Sequence, residues 1–104
     1  MKIYFERSGG FAGTNDSIVL DTTSMTPDEV KHVQQLVDNS NFFNLPSKSP
    51  APKAGSADYF HYKITVQEDQ REHKVQTNDI TIPQELEPLI NFLQEKVQSG
   101  KKTF

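Results

Sequence analysis

Ten residues, DYFHYKITVQ at 58–67, constrain this chain most. Phe60, Tyr62, Ile64 and Val66 alternate with Tyr59, His61, Lys63 and Thr65. Alternation at period two puts each set on its own face of an extended strand, one face apolar and one polar. A helix of this sequence would scatter the apolar set around its axis. The segment is therefore a strand with one buried face, and the rest of the chain must supply a layer to cover it.

Two further strands share the pattern. KIYFER (2–7) places Ile3 and Phe5 on one face, with Lys2, Tyr4 and Glu6 on the other. REHKVQT (71–77) follows the turn EDQ and returns as the hairpin partner of the aromatic strand. In that register His73 and Val75 face the core and His61 faces outward. SIVLD (17–21) is a shorter strand, joined to the first by the glycine-rich RSGGFAGTND. The bridge NDITIP (78–83) is expected to be extended.

Two amphipathic helices provide the cover. TPDE at 26–29 combines Thr26 as N-cap, Pro27 at the first helical position and Glu29 as the return partner of a capping box. Val30, Val33, Leu36 and Val37 then make an apolar stripe. In EPLINFLQEKV (87–97), Pro88 suits the first turn, and Leu89, Ile90, Leu93 and Val97 share a face. FFNLP (42–46) reads as a plug at the edge of the core. The expected fold is α+β: a four-stranded, largely antiparallel sheet with two helices on one face, in the order ββαββα. With 104 residues, the chain is expected to be a single domain over 1–104.

Composition excludes several functions. There is no cysteine, hence no disulfide, thiolate metal site or cysteine nucleophile. Eleven basic and fourteen acidic residues are interspersed, leaving no basic stripe for nucleic acid. No run approaches the length of a membrane span, and the opening MKIYFERSGG lacks the apolar stretch of a signal peptide. A cytoplasmic protein without cofactor, and monomeric when free, is the expectation.

Catalytic patterns are equally absent. SGGFAGTND leads into a strand rather than a helix and has no lysine, so it is not a phosphate loop. His32, His61 and His73 are spread over a helix and two strands, without metal-ligand spacing. No G-x-S-x-G elbow occurs, and Ser8 has no histidine near it in sequence. Asp58, Glu68 and Glu72 have the character of solvated strand-end carboxylates. An enzyme is not expected.

The loops are what remains distinctive. Phe11 lies between Gly10 and Ala12–Gly13, small residues that let a backbone approach a partner closely. An aromatic in that setting either caps the core or anchors an interface, and loop position favours neither. Residues 46–57, PSKSPAPKAGSA, contain three prolines and no large apolar side chain. A structureless connection of that length in a compact domain is usually functional or disordered.

F-E-R-S-G-G-F-A-G at 5–13, FFNLP at 42–46, ADYFHYKITV at 57–66 and the spacing of Pro83, Leu86, Pro88, Leu89 and Leu93 together resemble the emfourin family. The resemblance runs along almost the whole chain, in order. It implies a cytoplasmic prokaryotic inhibitor of protealysin-like, thermolysin-type zinc metallopeptidases, in which the partner carries the zinc and the inhibitor does no chemistry. Thermolysin-type enzymes favour a bulky apolar side chain after the scissile bond, a role Phe11 is suited to fill. The protease-binding residues expected on this basis are Ser8, Gly9, Gly10, Phe11, Ala12 and Gly13, with Pro50, Ala51 and Pro52 bracing the rim. The 46–57 loop, rich in proline and lysine, is where target preference is expected to vary. Two other readings stand beside it. One is a binding module or peptidase folding partner that uses the outer sheet row Tyr59, His61 and Lys63. The other is a small enzyme built on dispersed carboxylates and His61.

Overall fold

The computed structural model describes residues 1–9, 14–48 and 59–100. In chain order come β1 (Lys2–Gly9), β2 (Thr14–Asp21), α1 (Pro27–Asn39), β3 (Phe60–Glu68), β4 (Arg71–Asn78) and α2 (Glu87–Gly100). Short 3-10 turns lie at Thr22–Ser24, Phe42–Asn44 and Gln84–Leu86. The sheet order is β2-β1-β3-β4, with every neighbouring pair antiparallel. This is the expected ββαββα arrangement.

Alternation decides which face is covered. Ile3 and Phe5 of β1 pair across the sheet with Val66 and Ile64 of β3, and Ile64 pairs in turn with Val75 of β4. All five are buried, in one cluster with Val33 and Val37 of α1 and Leu89, Ile90, Leu93 and Val97 of α2. Each large aliphatic or phenylalanine side chain buried this fully stabilises the fold by roughly 1.5–3 kcal/mol relative to exposure. Both helices therefore lie on the same sheet face. The opposite face carries exposed Tyr4, Glu6, Lys63 and Lys74.

The helix boundaries follow the expected chemistry. Thr26 Oγ1 accepts from the Glu29 backbone N–H at 3.3 Å, and Glu29 Oε1 accepts from the Thr26 N–H at 3.2 Å. At the other end of α1, Ser40 Oγ donates to the Val37 carbonyl at 2.7 Å. The chain then reverses through Asn41 at φ +55, a left-handed conformation that asparagine tolerates. That reversal seats Phe42 in the core as the expected plug, edge-on to Phe43 and His73.

Three boundaries differ from the sequence expectation. Both strands of the first hairpin are longer, so Ser8 and Gly9 end β1 instead of starting a loop. Residues 78–83 are not an extended bridge: Asn78 ends β4 and a tight turn follows. Asn78 Oδ1 accepts from the N–H groups of Ile80 (3.0 Å) and Thr81 (2.8 Å), local bonding that competes with extension. Finally, the 46–57 connection is not wholly unpaired. The Gln76 N–H donates to the Ser47 carbonyl at 2.8 Å, and Lys48 forms a parallel bridge with Gln76 beside β4.

Candidate protease-binding edge

One end of the sheet gathers the features singled out in the sequence. Gly9 of β1 pairs with Thr14 of β2 on one side and Phe60 of β3 on the other. His61 pairs with Asn78 of β4, and the Asp79 N–H donates to the Phe60 carbonyl at 3.2 Å. The segment 10–13 therefore leaves from, and returns to, this end. Lys48, which bridges β4 in parallel at Gln76, precedes segment 49–58, and Tyr59, just ahead of β3, follows it. Both loops are anchored along the same sheet edge.

Of the expected binding residues, Ser8 and Gly9 are half-buried at the end of β1. Gly10, Phe11, Ala12, Gly13, Pro50, Ala51 and Pro52 lie outside the described residues, as does Asp58. Gly9 is held at φ +98, and a Cβ built there comes within 2.8 Å of the Tyr59 carbonyl oxygen. Only glycine combines that backbone with that approach. Its role is to let the two loop anchors, Gly9 and Tyr59, sit against each other.

A buried polar network lies directly beneath. Arg7, two residues before Gly9 on the covered face, donates from Nη2 to Asp16 Oδ2 at 2.7 Å and from Nη1 to Gln94 Oε1 at 3.0 Å. Its guanidinium carbon sits 5.0 Å from the centre of the Phe60 ring. One side chain thus links β1, β2, the start of β3 and α2. Its Nε is buried and has no hydrogen-bond partner among the described residues. Sequence reasoning missed this network. The signal was present in the alternation, since Ile3, Phe5 and Arg7 share a face, but an arginine at the strand end reads as solvated until its partners are known.

Next to this network, Tyr62 is 5% exposed and stacks on Phe5 and Phe60. Burial pushes its hydroxyl above the ordinary tyrosine value, the Asp79 carboxylate adds to the rise, and Arg7 opposes it.

The histidines go to separate places, as their spacing indicated. His32 is exposed and edge-on to Phe92, with ring centres 5.3 Å apart. His61 is exposed on the outer face against Tyr59, at 4.8 Å. His73 faces the core side, its Nε2 2.7 Å from the Leu45 carbonyl oxygen. Among the described residues, no three His, Cys, Asp or Glu side chains form a group able to hold a metal ion. No described helix is long and apolar enough to cross a membrane.

The outer-face row is split. Lys63 and His61 are exposed, while Tyr59 is half-buried ahead of β3. Tyr4, Glu6, Lys63, Thr65 and Lys74 line a shallow depression of about 140 Å³ on that face. A larger cleft of about 280 Å³ lies on the helical side, between Met25, Asp28, Glu29, His32, Phe92 and Lys96, away from the loop anchors.

The family model described as Emfourin matches residues 5–94 of the chain. No curated protein and no solved structure matches it. The family match starts at Phe5, ends at Gln94 and includes both loops with all of their anchors.

Proposed function

The chain belongs to the emfourin family, membership that supports a metallopeptidase-inhibitor role at family level, and on that premise we propose that it blocks the active-site cleft of a thermolysin-like zinc metallopeptidase. The observation that carries this reading is the family match over residues 5–94. What supports a cleft-blocking mode is the anchoring of both loops on one sheet edge. Phe11, flanked by small residues, enters the apolar pocket that receives the substrate side chain after the scissile bond. Ser8, Gly9, Gly10, Ala12 and Gly13 carry the backbone alongside it, and Pro50, Ala51 and Pro52 brace the rim. Substrate is excluded without chemistry on the inhibitor.

Physical economy favours such an edge. Ordering a free side chain on binding costs about 0.5–1.5 kcal/mol. Loop ends already fixed by a four-stranded sheet and by Arg7 reduce that cost before the partner arrives.

The test is inhibition of thermolysin, and of a protealysin-type peptidase, by the purified protein, with excess zinc as a control. Near-stoichiometric inhibition that zinc does not relieve is expected. Inhibition relieved by zinc would mean metal stripping rather than cleft blocking. Activity of both peptidases untouched by the protein would transfer the leading role to the outer-face binding module.

A further inference from the structure

The two loops are too small to be the whole interface. Segments 10–13 and 49–58 hold four and ten residues, fourteen together. A specific, stable protein–protein interface uses roughly 20–30 residues on each side. Further residues at this sheet edge must join them if the edge is the inhibitory surface.

The turn after β4 is the element in place to do so. It leaves the sheet between Lys48, which runs beside β4, and Tyr59, which leads into β3. These three departures span two strand spacings, roughly 10 Å across this end of the sheet. Ile80 sits on this turn and is 54% exposed. Among the described residues, the exposed large apolar side chains are Tyr4, Val19 and Ile80. Tyr4 and Val19 pair with each other on the outer face, five residues along β1 from Gly9 and about 17 Å away. Ile80 alone of the three is at the loop edge.

The turn is also rigidly built. Asn78, 4% exposed, accepts from the backbone N–H groups of Ile80 and Thr81 through one side-chain oxygen. The Asp79 N–H is bonded to Phe60. These three bonds fix the backbone that carries Ile80 before any partner binds. Tyr59 and His61, their rings tilted against each other at 4.8 Å, lie at the neighbouring end of β3, where His61 pairs with Asn78. An apolar side chain on a fixed turn, next to an aromatic pair, has the composition and rigidity of an interface anchor.

We propose that Ile80 is a third contact point of the inhibitory surface, packing against an apolar patch on the wall of the peptidase beside its cleft. This rests on the inhibitor reading above. Ile80 supplies affinity from a rigid turn, next to the two loops, and its backbone is fixed by Asn78.

The experiment measures inhibition constants against thermolysin and a protealysin-type peptidase for wild type, Ile80→Asp, Ile80→Ala and Val19→Asp, with urea unfolding of each. Val19 is the matched control, 57% exposed but distant from the edge. The proposal expects Ile80→Asp to weaken inhibition at least tenfold and Ile80→Ala several-fold. Urea midpoints should stay near wild type, and Val19→Asp should leave inhibition unchanged. Inhibition by both Ile80 variants within twofold of wild type overturns the third contact while leaving the inhibitor reading intact. Equal weakening by Val19→Asp overturns it too, because the effect would then be one of charge or of the outer face. A wild-type protein that inhibits neither peptidase overturns both readings together.

Discussion

Arg7 and Asp16 stand directly opposite each other on β1 and β2, joined at 2.7 Å, with side chains only 10% and 5% exposed. Removing one partner of such a pair strands the other charge in the interior, which costs about 3–5 kcal/mol. Asp16→Leu should therefore lower the urea unfolding free energy by about that much. The double change Arg7→Met with Asp16→Leu should recover a large part of it, since no unpaired charge remains. The pair Arg71–Glu68, with side chains 58% and 17% exposed, is the more solvated comparison. Glu68→Gln should cost under about 1 kcal/mol. Equal costs for Asp16→Leu and Glu68→Gln would show that the buried pair does not hold the strand ends together.

Gly9→Ala tests the approach of the two loop anchors. The positive φ and the 2.8 Å meeting with the Tyr59 carbonyl oppose any side chain. A loss of about 1–3 kcal/mol is expected, read as a lower melting temperature. Wild-type stability in this variant would mean that the strand end relaxes freely, and the close approach of Gly9 to Tyr59 would lose its role.

Tyr62 sets an alkaline limit. Its folded value is raised, so between about pH 10 and that value the native state keeps the proton while the unfolded chain releases it. The stabilisation is complete below the unfolded value and is lost as pH rises through the folded one. Stability should fall over that window, and Tyr62→Phe should flatten the decline. A decline of the same steepness in Tyr62→Phe would assign it to other groups.

Phe11 separates an interface anchor from a core cap. As an anchor, Phe11→Ala should lose at least ~2 kcal/mol of binding to the peptidase while its urea midpoint stays near wild type. A core cap would instead show a reduced urea midpoint. Unchanged affinity with an unchanged fold would remove Phe11 from the mechanism.

Much of this architecture was legible along the chain because local physics decides it. Period-two alternation selected the buried faces of β1 and β3, and helical stripes picked out Val33, Val37, Leu89, Ile90 and Leu93. Thr26 and Glu29 announced the start of α1, and the bonds of its capping box are those expected. Pairing, which joins residues distant in sequence, decided the rest. Gly9 against Phe60, and Lys48 against Gln76, bring two loops to one sheet edge that no local pattern could have placed together. Arg7 looked like a solvated strand end until Asp16, nine residues on, and Gln94, on a helix eighty-seven residues away, enclosed it. Ile80 looked like part of an extended bridge until the Asn78 side chain took the backbone bonds that extension requires. The sequence by itself determined the elements, their buried faces and the family. Only the tertiary structure decided which loops are neighbours and which polar groups are enclosed, because both depend on contacts between residues far apart in the chain.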